Sequence, residues 1–184
     1  YSEISNFTLT LIGKTFKPIV RSGGKNGDLI YLTGNVGLSS IGMEALKQKI
    51  PLNSKILKNA VKKHLRPNSQ FFLMNEILKK YKIHAAMDIT DGMVQDSEKF
   101  SKTSNLDFTI HVDKFPNVES YLKYVTISEI LSSGEELEIL FLSPDKIQHK
   151  SVTHIGDVKK GTGNVMFFYR GKKFASDSVG FLHF

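Results

Sequence analysis

The stretch Ala86-Met87-Asp88-Ile89-Thr90-Asp91-Gly92-Met93-Val94-Gln95-Asp96 joins an apolar run to a helical pattern and decides the fold of this chain. Small and apolar residues over 83–89 are typical of a buried strand, and the apolar residues that follow recur at helical spacing. The junction therefore falls on Thr90 and Asp91. Carboxylate oxygens suit Mg²⁺, and the amides of a first helical turn attract phosphate. The sequence predicts a strand, a turn and a helix, with Asp88 and Asp91 placed to bind metal and phosphate.

The same turn has a purely structural interpretation. In both interpretations Thr90 is expected to cap the helix, because Ser, Thr and Asp are ordinary capping residues. In the functional interpretation Gly92 also lets the backbone approach a ligand closely. On the structural interpretation Thr90 or Asp91 serves only as a cap, and Asp96 is a solvated surface charge. The local residues leave both interpretations open.

Composition narrows the class of protein. The chain has 184 residues and is 40% apolar, which predicts one main domain with a single core. It has no cysteine, so disulfides, thiolate metal sites and cysteine nucleophiles are excluded, and a reducing cytoplasm is the expected location. No apolar run approaches the roughly 20 residues that a bilayer requires, so we expect no membrane partner.

The net charge of +7 favours anionic ligands. The lysines cluster over 55–63 and 79–82, between apolar residues at helical spacing, which is typical of solvated helix faces. We find no zinc-finger spacing, RNA-recognition aromatic pattern or long basic arm, and therefore expect no nucleic-acid partner. The six histidines share no ligand spacing, so a zinc site is not expected.

Strand and helix patterns interleave along the chain. Strands are predicted at 7–12, 29–33, 85–89, 107–112, 138–142 and 165–169. Helices are predicted at 39–48, 54–63, 69–81, 91–101 and 121–131. This order predicts an α+β fold, a layered arrangement in which helices cover a mixed sheet.

Three connections stand out. The segments 161–164 and 170–172 are glycine-containing turns, the second of them a predicted hairpin. Only about ten residues separate Leu142 from Val152, fewer than the dozen or more that a parallel crossover needs. Either a direct connection replaces a helix here, or residues are missing from the chain.

Five segments follow one another in the order of similar motifs in thiamine-monophosphate kinases and extend over nearly the whole chain. They are Arg-Ser-Gly-Gly-Lys-Asn-Gly-Asp at 21–28 with Thr-Gly at 33–34, His-Leu-Arg-Pro at 64–67, Met-Asp-Ile-Thr-Asp-Gly at 87–92, Ser-Ser-Gly-Glu-Glu-Leu-Glu-Ile-Leu-Phe at 132–141, and Gly-Phe-Leu-His-Phe at 180–184. The chain resembles that family. It departs from the usual family residue at Gly24, Asn26, Thr90, Ser133, Glu136, Leu137 and Leu182.

The resemblance implies a fold, an activity and a set of ligands. The fold is that of the C-terminal domain of the aminoimidazole ribonucleotide synthetase superfamily. The activity is ATP- and magnesium-dependent phosphorylation of thiamine monophosphate to thiamine diphosphate, by a homodimer when the protein is full length. The acceptor is a phosphate anion, so no catalytic base is needed. The resemblance assigns Asp88 and Asp91 to magnesium, Arg21 and Thr90 to ATP, and Glu135 and Phe181 to thiamine monophosphate.

The family also has an N-terminal domain with Gly-Asp-Asp and Gly-Gly-Asp metal motifs, and neither motif occurs in this chain. We therefore expect a C-terminal part of a longer protein, inactive by itself. Residues 1–17 are then a remnant of the N-terminal ATP-binding domain, with its last strand at 5–12, and residues 18–184 form the C-terminal domain. Two alternatives stay open: another ATP-dependent enzyme of the superfamily, related to aminoimidazole ribonucleotide synthetase or selenophosphate synthetase, and a non-catalytic binding or dimerisation module.

Overall fold

A seven-stranded mixed sheet organises the computed structural model, which describes residues 8–174. The strands are β1 (Leu29–Thr33), β2 (Ala85–Ile89), β3 (Leu106–His111), β4 (Glu138–Ser143), β5 (Val152–Lys160), β6 (Val165–Tyr169) and β7 (Lys172–Phe174). Their order is β2-β4-β1-β5-β3-β6-β7, and neighbours are antiparallel except for the parallel pair β3 and β6. The predicted α+β fold with a mixed sheet is confirmed.

Six α-helices accompany the sheet in the described residues. They are α1 (Leu38–Lys47), α2 (Lys55–Leu65), α3 (Phe71–Lys80), α4 (Met93–Ser104), α5 (Val118–Tyr121) and α6 (Ile127–Leu131). The strands predicted at 29–33, 85–89 and 165–169 have the observed bounds, and most other predicted elements are displaced at their ends by one or two residues. The turns predicted at 161–164 and 170–172 are also confirmed.

Two predicted elements need correction, and one strand was missed. The helix predicted at 121–131 is two short helices, because Thr126 and Glu129 form a capping box that starts α6 anew. The strand β5 was not predicted. Of the strand predicted at 7–12, residue 7 lies outside the described range, and residues 8–12 form no strand. Leu9 and Ile12 are almost fully exposed, and no strand within 8–174 lies beside them to satisfy their backbone groups.

One face of the sheet buries the main core beneath helices. In β3 the buried residues are Leu106, Phe108 and Ile110, and they alternate with half-buried ones, as the two-residue period of a strand requires. The same alternation in β2 buries Ile89 under the helices and sends Asp88 to the opposite face, where it is exposed. Burial of each large apolar side chain contributes about 1.5–3 kcal/mol.

The opposite face is covered by α3 and by the connection 144–151. The ring of Tyr31 stacks on Phe141 with centroids 5.4 Å apart, and Ile77 and Ile147 complete this second cluster. The phenol of Tyr31 donates to the carbonyl of Asp145 at 2.9 Å and accepts the N–H of Ile147 at 3.0 Å. The connection between β4 and β5 is therefore a direct loop without a helix, tied down by one side chain of the strand between them.

Replacing Tyr31 by Phe should destabilise the fold by about 1–3 kcal/mol, because two buried backbone groups of the connection lose their partner. Tyr81→Phe is the matched control, since that half-buried phenol bonds to no residue within 8–174. Urea unfolding of both variants measures the difference. Equal free energies of unfolding for the two variants would contradict the role given to Tyr31.

Candidate functional site

The acidic turn between β2 and α4 is built differently from the sequence prediction. Helix α4 begins at Met93, and its N-cap is Gly92 at φ +110°, without a side-chain cap. The predicted cap by Thr90 is therefore wrong. The buried carboxylate of Asp96 reaches back instead and accepts the N–H groups of Thr90 at 2.8 Å and Asp91 at 2.9 Å. A cap at Thr90 would accept an N–H group two or three residues further along the chain, and no such bond to its hydroxyl is found among the described residues.

A lysine balances the charge of the turn. The ammonium of Lys99 forms an ion pair with Asp91 and lies 3.3 Å from Asp96. The hydrogen bond to Asp91 is the main reason why the pKa of Lys99 is raised above its usual value. The interpretation of Asp96 as a solvated charge is wrong, because its side chain is fully buried. The turn thus holds a cation against the carboxylate of Asp91.

The segment 132–138 pairs with this turn through its backbone. The N–H of Glu135 donates to the carbonyl of Thr90 at 2.7 Å, and the N–H of Leu137 donates to that of Ile89 at 2.9 Å. Both donors have left-handed backbones, with φ of +57° at Glu135 and +51° at Leu137. The structure therefore brings Glu135 and Thr90 together, and the side chain of Glu135 is exposed beside the turn.

Close approach of these two segments depends on glycine. A Cβ on Gly92 would lie 2.9 Å from the carbonyl carbon of Ser132, and one on Gly134 would lie 3.0 Å from the carbonyl oxygen of Thr90. The sequence predicted that Gly92 admits a ligand. In the structure the absence of a side chain at Gly92 makes room for the backbone of Ser132 instead.

Arg21 lies beside β2, in a short 3₁₀ turn at Arg21–Gly23. Its guanidinium is 3.6 Å from the carboxylate of Asp88, and both side chains are about half exposed. An exposed pair of this kind contributes at most about 1 kcal/mol. Asp88 therefore remains available to a ligand.

Asp88 lines two cavities. One cavity, of about 660 Å³, is lined by Arg21 and by apolar residues that include Ile19, Met87 and Ile139. The second cavity, of about 420 Å³, is also lined by Asp88 and Ile139, together with Leu137 and the start of α3. One carboxylate thus faces both an arginine-bearing apolar cavity and the segment 132–138.

Hydrogen bonds to neighbouring elements anchor Arg21 and the loop that follows it. The buried carboxylate of Asp28 accepts the N–H of Lys25 at 2.8 Å and contacts Nδ1 of His84 at 2.9 Å. The hydroxyl of Ser104 donates to the carbonyl of Arg21 at 2.6 Å. The position of Arg21 is therefore fixed by α4 and by the residue that precedes β2.

Glu136 is a residue of the site region that the sequence prediction missed. Its Oε1 accepts the N–H of Gly37 at 2.7 Å, the N–H of Ser39 at 3.0 Å and the hydroxyl of Ser133 at 2.6 Å. Its Oε2 is buried and has no partner among the described residues. Burial raises the pKa of Glu136 to about 7, although these hydrogen bonds oppose the shift. Glu136 joins the segment 132–138 to the start of α1.

The remaining predicted site features are incomplete in the described part of the chain. Phe181 lies outside residues 8–174. Within that range no three acidic or histidine side chains lie close enough together to hold a metal ion, so Asp88 and Asp91 supply at most part of a metal shell. Within the same residues, no helix is both long and apolar enough to cross a membrane.

Comparison with known proteins identifies the family to which this chain belongs. Residues 25–162 match the family described as AIR synthase related protein, C-terminal domain. The chain belongs to this family. The predicted resemblance to thiamine-monophosphate kinases is confirmed as well: one from Leptospira interrogans is 40% identical over 187 residues, which cover all of this chain and 61% of that relative.

Two solved structures show the same fold as this AIR synthase related domain. AaThiL complexed with AMPPCP and TMP has a TM-score of 0.74 and 29% identity, covering 90% of this chain and 54% of that one. Thiamine monophosphate kinase from Aquifex aeolicus has a TM-score of 0.73 and 29% identity, covering 88% and 56%. The chain therefore spans less than two thirds of the length of these relatives.

Gly92→Ala should destabilise this AIR synthase related domain by about 3 kcal/mol or more, because backbone strain adds to a clash with Ser132. Gly27→Ala is the control, since Gly27 also has positive φ but faces open space, and its strain should cost only about 1–2 kcal/mol. Denaturant unfolding distinguishes the two costs. A Gly92 variant no less stable than the Gly27 variant would disprove the close approach.

Glu136 should make stability depend on pH. Its pKa is about 7 when folded and near the ordinary 4.5 when unfolded, so folding disfavours the charged form. The stability linked to this group is complete below about pH 4.5 and is lost as the pH rises to about 7, by at most about 3 kcal/mol.

The test is the free energy of unfolding of the wild type minus that of Glu136→Gln, measured from pH 4.5 to 7.5. We expect the difference to fall as the pH rises, because the glutamine cannot ionise. A difference independent of pH would show that Glu136 is not titrating in this range.

Proposed function

We propose that this chain forms the C-terminal part of an enzyme that transfers the terminal phosphoryl group of ATP to thiamine monophosphate, giving thiamine diphosphate and ADP. The observation that carries the proposal is the convergence of Arg21, the acidic turn 88–92 and the exposed Glu135, in a chain similar over its whole length to thiamine-monophosphate kinases. The similarity of its fold to AaThiL complexed with AMPPCP and TMP supports the same pair of ligands.

Arg21 and Thr90 are proposed to bind ATP. The guanidinium of Arg21 is half exposed and borders a cavity with apolar walls, an environment that suits a polyphosphate beside a flat base. The hydroxyl of Thr90 has no hydrogen bond to a residue within 8–174, so it can donate to a phosphate oxygen. These contacts fix the nucleotide on the exposed side of β2.

The donor set fits magnesium. Asp88 is half exposed and has only a long contact with Arg21, while Asp91 already holds the ammonium of Lys99, which stands where a cation is favoured. Carboxylate oxygens are ligands that Mg²⁺ prefers. Bound magnesium would neutralise charge between the two reacting phosphates. Asp88 and Asp91 would contribute only some of its ligands, and the rest would come from outside the described residues.

Glu135 and Phe181 are proposed to bind thiamine monophosphate. The carboxylate of Glu135 is exposed beside the turn, and thiamine carries a positively charged ring, so the charges are complementary. Phe181 is proposed from its sequence motif alone. Since the acceptor is already an anion, the residues of this chain act by binding and orienting two polyanions rather than by removing a proton.

The complete enzyme is proposed to be a cytoplasmic homodimer without nucleic-acid or membrane partners, in which residues 1–17 belong with an N-terminal ATP-binding domain. Two other functions compete with this one. Another ATP-dependent enzyme of the superfamily would bind a different phosphorylated substrate, and a non-catalytic module would bind no nucleotide.

Calorimetry of the complete protein separates these possibilities. A kinase should bind magnesium-ATP, and thiamine monophosphate should raise its unfolding temperature more than other phosphorylated compounds do. Binding of ATP with preference for another phosphorylated acceptor would favour the first alternative. Absence of any ATP binding would favour the module.

Asp88→Asn should lower the rate of thiamine diphosphate formation by the complete enzyme about 100-fold or more and raise its magnesium requirement, because one charged metal ligand is lost. The unfolding temperature should hardly change, since the pair with Arg21 is exposed. Glu98→Gln removes an exposed carboxylate from α4 and should leave the rate within about twofold. Near-normal turnover by the Asp88→Asn variant would refute the assignment of Asp88 to the metal.

A further inference from the structure

A groove along α2 has the properties of a second ligand site. One part of it is a cavity of about 430 Å³, within the size range of small-molecule sites. Three cationic residues, Lys62, Lys63 and Arg66, line it together with several carboxamides, among them Asn35 and Asn59. Among the described residues assigned above to ATP, magnesium or thiamine monophosphate, none borders this cavity. The proposed kinase activity leaves the groove without a role.

The cavity has an excess of positive charge. Among the described residues that line it, the only acidic one is Glu138, which pairs with Lys63 and accepts the hydroxyl of Thr33 at 2.6 Å. The side chains of Glu138 and Lys63 are 4% and 10% exposed, so they form a buried floor. Lys62 and Arg66 are exposed, and neither pairs with a carboxylate anywhere in residues 8–174. Two uncompensated cations one helical turn apart repel each other, and an anion between them would relieve that repulsion.

The cations are not explained by their place at the end of a helix. Cations on any side of a last turn interact favourably with the helix dipole. Here Lys62 and Arg66 line one cavity together with Lys63 and with carboxamides, which can donate hydrogen bonds to the same ligand. Grouping of charge and neutral donors around one cavity is typical of a phosphate site.

The groove continues past the cations Lys62 and Arg66 as a mostly uncharged space, in which Lys55 is the one charged residue among those described. A cavity of about 350 Å³ shares Asn35 and Asn59 with the first and is lined further by Ser120 and Tyr121. The Oδ1 of Asn35 accepts the hydroxyl of Tyr121 at 3.1 Å and the amide of Asn117 at 3.0 Å. The side-chain amide of Asn35 is thereby oriented, and its N–H groups remain available as donors at the junction of the two cavities.

We propose that this groove binds a small phosphomonoester. Its phosphate lies against Lys62, Lys63 and Arg66, and its uncharged hydroxyl-bearing body lies in the second cavity beside Ser120. The binding is independent of the proposed kinase activity, because the two sites share none of their assigned residues.

Calorimetric titration of the complete protein with ribose 5-phosphate, inorganic phosphate and ribose tests the proposal. Ribose 5-phosphate should bind more tightly than phosphate, and ribose should not bind. The double variant Lys62→Gln with Arg66→Gln should weaken binding of both anions at least about tenfold. Ser120→Ala should weaken binding of ribose 5-phosphate alone.

Two controls make the result specific. Lys58→Gln with Lys79→Gln removes two exposed lysines outside the groove, and it should leave both affinities unchanged. Arg21→Gln disturbs the proposed nucleotide site and should also leave them unchanged. No binding to the wild type, equal weakening in the lysine control, loss of binding with Arg21→Gln, or equal affinity for phosphate and ribose 5-phosphate would each overturn the proposal.

Discussion

Two backbone hydrogen bonds, from Glu135 to Thr90 and from Leu137 to Ile89, are the contacts on which the rest of the site depends. They extend the pairing of β2 with β4 past the end of the regular ladder. Because the segment is fixed there, the side chain of Glu136 can reach the start of α1, and that of Glu138 can reach α2. One local pairing thus positions the acidic turn, the first helix and the groove along the second helix.

Buried carboxylates hold these elements together, and each has a different partner. Asp96 is matched by two backbone amides and a lysine, Asp28 by His84 and an amide, and Glu138 by Lys63 and a hydroxyl. Glu136 has only neutral donors, and one of its oxygens has no partner within the described residues. An unpaired buried charge is costly, and this explains why the pKa of Glu136 rises.

The sequence was sufficient for elements with a regular pattern and insufficient for long-range partners. Runs of mainly apolar residues predicted β1, β2 and β6 with their observed bounds. The strand β5 was missed because its register with β1 shifts between Ile30 and Tyr31, and the buried positions of β5 therefore break the two-residue alternation. Thr90 has the residue type of a cap, yet the helix begins after Gly92, and Asp96 reaches back to the amides of Thr90 and Asp91. The contacts of Glu136 span almost a hundred residues, which no local pattern reveals.

The alternation along β2 makes chain length in this segment as important as residue type. Ile89 belongs to the core and Asp88 to the ligand side because they are consecutive residues of one strand. A single-residue insertion or deletion between Ala85 and Gly92 would exchange these two faces and place a carboxylate under the helices. Substitutions such as the threonine at position 90 are compatible with this fold, whereas a change in the number of residues between strand and helix is not.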